Sequence, residues 1–277
     1  MMFIKLIRYD LRNGLLRCWK KFLISFCMFT VFCFDLYLNW SNCRLNPSDL
    51  SLGDYALFLF RGMREYIPDS SQPFIFPILW MLFYILIFYI VLYYPFQDLN
   101  GFGKNILVNS RKRSLWWLSK CVWIIFSVIT YFALAWAAAI IFSLTTGTNL
   151  SLQINKLQLM MLGVRDVEMV LPIKNFVGLA IILPPLVAIS MCLMQLTISL
   201  FVKPLYSFLF SISVLLISAY YKSELLLGNY AMLIRLDIWS ENGLKSINGI
   251  YFSIILGLVS IVIGCIYFCR TDIMNKE

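Results

Sequence analysis

Histidine is absent from the 277 residues. That absence excludes zincin motifs, Ser-His-Asp triads and His-ligated haem. Charge is scarce as well. Asp, Glu, Lys and Arg make up 13% of the chain, where a soluble domain carries about 25%. Apolar types fill 61%, against roughly 45–50% in soluble domains. A soluble domain of this size needs a polar coat that these residues cannot supply, so lipid must be the solvent for most of the surface. Cys-x-x-Cys pairs are missing too. The cysteines are Cys18, Cys27, Cys33, Cys43, Cys121, Cys192, Cys265 and Cys269. All but Cys43 lie in apolar segments or in the basic first segment, where cysteine behaves as a small hydrophobe. Neither a disulfide framework nor a metal site is expected.

What the chain does have is long apolar runs flanked by basic residues. The net charge of +9 is concentrated beside those runs. This placement fits anionic lipid and the positive-inside rule, not nucleic acid. Residues 1–21 read as an amphipathic helix. Phe3, Ile7, Leu11, Leu15 and Trp19 recur every four residues, with Lys5, Arg8, Arg12 and Lys20 on other faces. Such a helix suits the membrane interface.

Six apolar segments follow, near 22–40, 74–94, 116–144, 176–201, 205–221 and 250–269. Each approaches the roughly 20 helical residues that cross a bilayer core. The expected fold is therefore an all-α polytopic membrane protein. It has six spans and an interfacial N-terminal elbow, and 1–277 forms a single transmembrane domain. The fourth and fifth segments are separated only by Val202-Lys203-Pro204, and Pro184-Pro185 should kink the fourth. With the N-terminus in the cytoplasm, the inner parts hold 14 Lys and Arg and the longer outer loops hold 9. Both termini belong in the cytoplasm of a cell-membrane protein on that count.

The outer segments 50–67, 150–169 and 223–236 look like short amphipathic helices capping the outer face. Asn39-Trp-Ser41 and Asn149-Leu-Ser151 match glycosylation sequons, a pattern short enough to arise by chance. Ser253-x-x-x-Gly257, Ser260-x-x-x-Gly264 and Ala135-x-x-x-Ala139 place small residues where helix backbones can approach closely. They could serve packing within the chain or a subunit contact.

Catalytic motifs are weak. Gly101-Phe-Gly103-Lys104-Asn105 falls short of a phosphate-binding loop, because Asp98 stands at the first glycine position and Asn105 at the hydroxyl position. Tyr9-Asp10 and Gly53-Asp54 are faintly similar to intramembrane aspartyl protease motifs. Both lie outside the spans, where they cannot form a facing pair. Asp35 is the one acidic residue well inside a span. It either takes part in a path or a subunit contact, or reaches water or Arg44 at the outer end. Lys120, one turn into the third span, is expected to snorkel to the cytoplasmic interface.

The inner loop between the second and third spans is the most informative segment. Gly101 and Gly103 break the exit from the second span, and Ile106, Leu107 and Val108 form a short apolar face. Arg111, Lys112 and Arg113 then lead back to Trp116 and Trp117 at the headgroups. An apolar-topped, basic-flanked loop of this kind could dock onto a soluble partner.

Together these features resemble the permease subunit of ATP-binding-cassette exporters of the second type. The shared pattern is the elbow 1–21, six spans with both ends inside, a short coupling helix after the second span and a very short turn between the fourth and fifth. The resemblance implies a coupling segment of Phe102, Gly103, Lys104, Asn105, Ile106, Leu107 and Val108. It implies a separate ATPase subunit carrying ATP and Mg, with no cofactor on this chain. It also implies a second permease subunit, the same or related, and a peptide or other amphipathic cargo. The three sizeable outer loops depart from many relatives, where the last outer segment carries most of the structure. The alternative is an ATP-independent membrane-embedded enzyme or scaffold.

Overall fold

The computed structural model describes residues 2–68, 73–101, 103, 104, 107, 112–162, 176–239 and 242–270. The described residues are helical and contain no strand, only single bridges at Ser51–Asn149 and Leu236–Leu244. Five helical stretches are long and apolar enough to cross a membrane. They are α1 (Met2–Asn42), α3 (Ile78–Leu92) continued by α4 (Tyr94–Leu99), α5 (Arg113–Thr146), α7 (Phe176–Ile198) and α10 (Ser246–Arg270). A sixth apolar helix, α8 (Pro204–Tyr220), has 17 residues. The shorter helices are α2 (Leu52–Phe60), α6 (Lys156–Met161) and α9 (Leu227–Tyr230). The apolar segments fall close to their expected bounds. The fourth, for example, is 176–198 where 176–201 was expected, and its helix runs through Pro184 and Pro185.

The elbow requires a correction. Residues 2–21 are not a separate helix; they continue without a break into the first apolar segment. At 41 residues, α1 is about 61 Å long. Nothing near Lys20-Lys21 interrupts the hydrogen-bond ladder. Gly14, the only glycine in α1, lies against the Trp123 indole, which occupies the space a β-carbon would need.

The outward faces of the bundle are apolar. On α10 the exposed large residues are Ile247, Tyr251, Ile254, Ile255, Leu258, Val259, Val262, Ile263 and Ile266. The opposite stripe, Gly249, Ser253, Gly257, Ser260 and Gly264, is buried. Small residues inside and large hydrocarbons outside invert the pattern of a soluble helix and suit a lipid solvent. The small stripe serves packing within the chain. Gly257 meets Ser190 and Leu193 of α7, Gly264 abuts Trp117, and Thr197 Oγ1 donates to Ser260 O (2.8 Å). On α1, beyond the exposed Arg17 and Lys20, the exposed apolar belt runs from Leu23 to Leu38. That is a rise of about 23 Å, most of a hydrocarbon core of about 30 Å.

The two ends of the bundle differ. One end carries the turn between α7 and α8, the beginning of α1 and the close of α10. The other carries the long loops, which are tied together rather than splayed. Leu52 N donates to Asn149 O (3.0 Å), and Asn155 N donates to Asp54 Oδ1 (2.8 Å). Ser51 and Asp54 form a reciprocal cap on α2. Burial pushes the Asp54 carboxyl above its ordinary range, opposed by the donors from Asn155 and Ser51.

The segment 50–67 is therefore not a surface cap. Every residue of α2 is buried. Tyr55 packs on Phe142 near the long-loop end (5.7 Å between centroids), whereas Phe60 reaches Phe83 (5.4 Å) and Phe132 (5.6 Å). Phe83 in turn touches Phe29 (5.1 Å), near the middle of the α1 belt. A nine-residue helix rises about 14 Å, so α2 descends from the long-loop end to roughly mid-depth. A helix apolar on all sides is stable only when surrounded by protein or lipid, which accounts for the burial.

The segment 223–236 is likewise tucked in: Leu227, Tyr230, Met232, Leu233 and Leu236 are buried. Its anchor is Arg235. The guanidinium donates to Met63 O (2.8 Å), Arg64 O (3.0 Å), Ser218 O (2.6 Å), Ala219 O (2.8 Å) and the Asn229 side chain. It satisfies the carbonyls at the end of α8 and clamps the chain returning from α2. Burial lowers this guanidinium to about 10, with Glu65 opposing the shift. Of 150–169, α6 exposes Leu157, Met160 and Met161 at the surface, and 163–169 lie outside the described residues.

Candidate functional site

Three charged side chains from three helices converge at the short-turn end. Asp10 is on α1, Asp98 on α4 and Lys120 on α5. Their exposures are 1%, 5% and 1%. The local sequence accounts for the placement of Asp98. Tyr93 ends α3, and Pro95 fixes the first turn of α4. The chain then folds back, with Gly101 N donating to Asp98 O (3.0 Å) and Lys104 N to Gly101 O (3.2 Å). Gly103 lies so close to Asp98 that a β-carbon there would collide with its carboxylate. The two glycines thus let the loop close over a charged group.

Lys120 bridges the two acids. Its Nζ donates to Asp98 Oδ2 (2.6 Å) and to Asp10 Oδ1. It does not snorkel. Because α5 starts at Arg113, Lys120 lies about two turns in and turns toward the bundle interior. Aromatic groups complete the enclosure. Tyr94 Oη donates to Asp10 Oδ1 (2.9 Å) and Trp116 Nε1 to Asp98 Oδ2 (3.3 Å). The ammonium lies 4.9 Å from the Tyr94 ring centre and 4.8 Å from that of Trp116, within reach of cation–π attraction. Tyr9 Oη approaches Asp98 Oδ1 at 3.4 Å. Asp10 Oδ2 has no hydrogen-bond partner among the described residues.

Chemically this is a buried ion-pair lock joining three helices. A carboxylate dyad works by sharing a proton between its two acids. Here a lysine stands between them and is bonded to both. Asp54, the other acid of the protease-like motifs, lies at the opposite end of the bundle, bonded to Ser51 and Asn155. The Gly101–Lys104 turn closes on the Asp98 carboxylate, which would repel a phosphate.

The remaining site candidates are placed as follows. Leu107 is buried, packed into the hydrophobic core. The expectation of an exposed apolar face at 106–108 is thereby corrected at its central residue, since a leucine gains more by packing into the core than by facing water. Gly103 is buried and Lys104 exposed. Phe102, Asn105, Ile106, Val108 and Arg111 lie outside the described residues. Asp35 is half-buried on α1. It interacts electrostatically with Arg61 at the inserted end of α2. The Arg61 guanidinium also stacks on Phe58 (4.7 Å). Sequence reasoning missed the lock because Asp10, Asp98 and Lys120 are far apart in the chain. The one local signal was charge close to the ends of long apolar runs, Asp98 after α3 and Lys120 near the start of α5.

Comparison of the chain with family models, with curated proteins and with solved structures gives no match.

Proposed function

We propose that this chain is the permease subunit of an ATP-driven exporter of the cell membrane. The observation that supports this reading is the Asp98–Lys120–Asp10 lock. It ties α4, from which the loop after the second span leaves, to α1 and α5, so force applied to that loop can pass through α4 into two spanning helices. In this reading α8 is the fifth of six spans, the short-turn end and both termini face the cytoplasm, and the basic start of α1 extends beyond the inner headgroups as a continuation of the first span. A separate ATPase, carrying ATP and Mg, docks against the loop 102–108. A second permease subunit supplies the other wall of the path, and the cargo is a peptide or other amphipathic compound.

The test is co-purification of a nucleotide-binding subunit with the tagged chain, followed by ATP hydrolysis and transport in proteoliposomes. Asp98→Asn keeps the side-chain shape and leaves Lys120 one acidic partner. We expect the variant to insert and bind the ATPase, but to lose transport by about tenfold, a free-energy change of about 1.4 kcal/mol. Wild-type transport by Asp98→Asn would remove the support for coupling through this lock, and failure to recover any ATPase would sink the exporter reading itself.

Orientation has a separate test. Cys43 and Cys269 are both exposed and lie at opposite ends of the bundle. In single-cysteine variants of intact cells, an impermeant maleimide should label Cys43 and spare Cys269 until the membrane is opened. Labelling of both from outside would refute the topology.

A further inference from the structure

A cavity of about 350 Å³ opens between α4, the start of α5 and the turn joining α7 to α8. Trp116, Trp117, Leu196 and Phe268 form its floor, with Phe96 and Lys203 at the rim. Both floor indoles spend their N–H groups elsewhere: Trp116 on Asp98, and Trp117 on Ile261 O (3.0 Å). They therefore turn only hydrocarbon to the cavity. Phe268 stacks on Trp116 at 4.9 Å, which holds the floor flat and rigid.

The cavity sits at the edge of the apolar belt. On α10 the exposed apolar stripe ends at Ile266, two residues before Phe268, and at the turn into α8 Lys203 stands between the exposed apolar residues Phe201, Val202 and Leu205. An apolar floor with a cation beside it matches a molecule with an acyl chain and a negative headgroup. Among the described residues Lys203 is the one charged residue lining the cavity; it is exposed and no ion-pair partner is found for it among them. An exposed ammonium beside an apolar floor is suited to a lipid phosphate. A volume near 350 Å³ is at the small end of ligand pockets, enough for part of one chain and not for a folded partner.

We propose that this cavity is a binding site for an anionic phospholipid of the adjoining leaflet, with one acyl chain over the Trp116, Trp117 and Phe268 floor and the phosphate on Lys203. The inference does not depend on the exporter reading. A free anion would not need the apolar floor, and a zwitterionic lipid would gain less from the lysine.

The test is native mass spectrometry of the full chain, released from detergent after incubation with equimolar phosphatidylglycerol and phosphatidylcholine. The wild type should retain phosphatidylglycerol at least fivefold over phosphatidylcholine. Lys203→Gln should halve that preference and Lys203→Glu should abolish it. Lys20→Glu, an exposed basic residue on α1 away from the cavity, should leave the preference intact. Ser199→Phe, which fills the cavity from the wall, should reduce retention of both lipids. Thermal midpoints in detergent identify any variant that fails to fold, and the Gln variant preserves the test if the Glu variant does. Equal retention of the two lipids by the wild type would overturn the proposal, as would an unchanged preference in both Lys203 variants. Displacement of the lipid by millimolar inorganic phosphate would assign the lysine to a free anion and overturn it equally.

Discussion

Lys120→Met is expected to destabilise the protein by about 3–5 kcal/mol, the cost of leaving buried charge without its partner. The substitution keeps the length of the side chain and removes its charge. Asp10 and Asp98, both buried, would then face each other across apolar surroundings. Tyr94 and Trp116 can each donate one hydrogen bond, but neither supplies a positive charge. Asp98→Asn should cost much less, since Lys120 keeps Asp10. The combination of Lys120→Met with Asp10→Asn and Asp98→Asn should recover most of the lost stability, because no buried charge remains. It should not recover transport if the lock carries force from the loop to α1 and α5. Thermal unfolding in detergent, followed by size exclusion, measures the first effect, and proteoliposome transport measures the second. A Lys120→Met variant with an unchanged midpoint would mean that water reaches the cluster, and the lock would lose its physical basis.

The periodic features of the chain were legible before any coordinates. The small-residue stripe of α10 follows from spacing within one helix, but that spacing left packing within the chain and a subunit contact both open, and only the structure places the stripe against α7 and Trp117. The apolar segments stand out because lipid tolerates few charges. What the sequence could not disclose are contacts made at long range. Asp98 and Lys120 are 22 residues apart, and Asp10 and Lys120 are 110 apart. Lys120 resembled a snorkelling lysine because its partners come from other helices. The elbow illustrates a different failure. The four-residue period of Phe3, Ile7, Leu11, Leu15 and Trp19 correctly indicates helix, but periodicity says nothing about whether one helix continues into the next. Leu107 looked available to a partner because nothing local covers it. In the structure the core does, so Leu107→Asp would confound docking with folding.

Phe60→Ala should cost about 3–5 kcal/mol, as expected for removing a fully buried aromatic ring. The ring is 1% exposed. It stacks on Phe132 at 5.6 Å, meets Phe83 edge-on at 5.4 Å and lies 6.2 Å from Trp136. Those three side chains belong to the spanning helices α3 and α5, so the cavity left behind would open at the centre of the bundle. Substitution at the surface of the same end gives the contrast. Leu225 is 82% exposed, and Leu225→Ala should change stability by no more than about 0.5 kcal/mol. The comparison separates two arrangements of the first long loop. A segment resting on the surface, as its sequence implied, would lose less than about 1 kcal/mol on truncation at Phe60, because little apolar area leaves water there. An inserted α2 loses the full packing energy. Denaturant unfolding in mixed micelles, run on both variants and the wild type, distinguishes them. If Phe60→Ala and Leu225→Ala shift the midpoint alike, α2 does not reach mid-depth. In that case Arg61, which follows Phe60, would not be carried toward Asp35. A large difference places the end of α2, and Arg61 with it, at the depth of the apolar belt, where an ionised side chain is costly unless an opposite charge acts on it, as Asp35 does on Arg61.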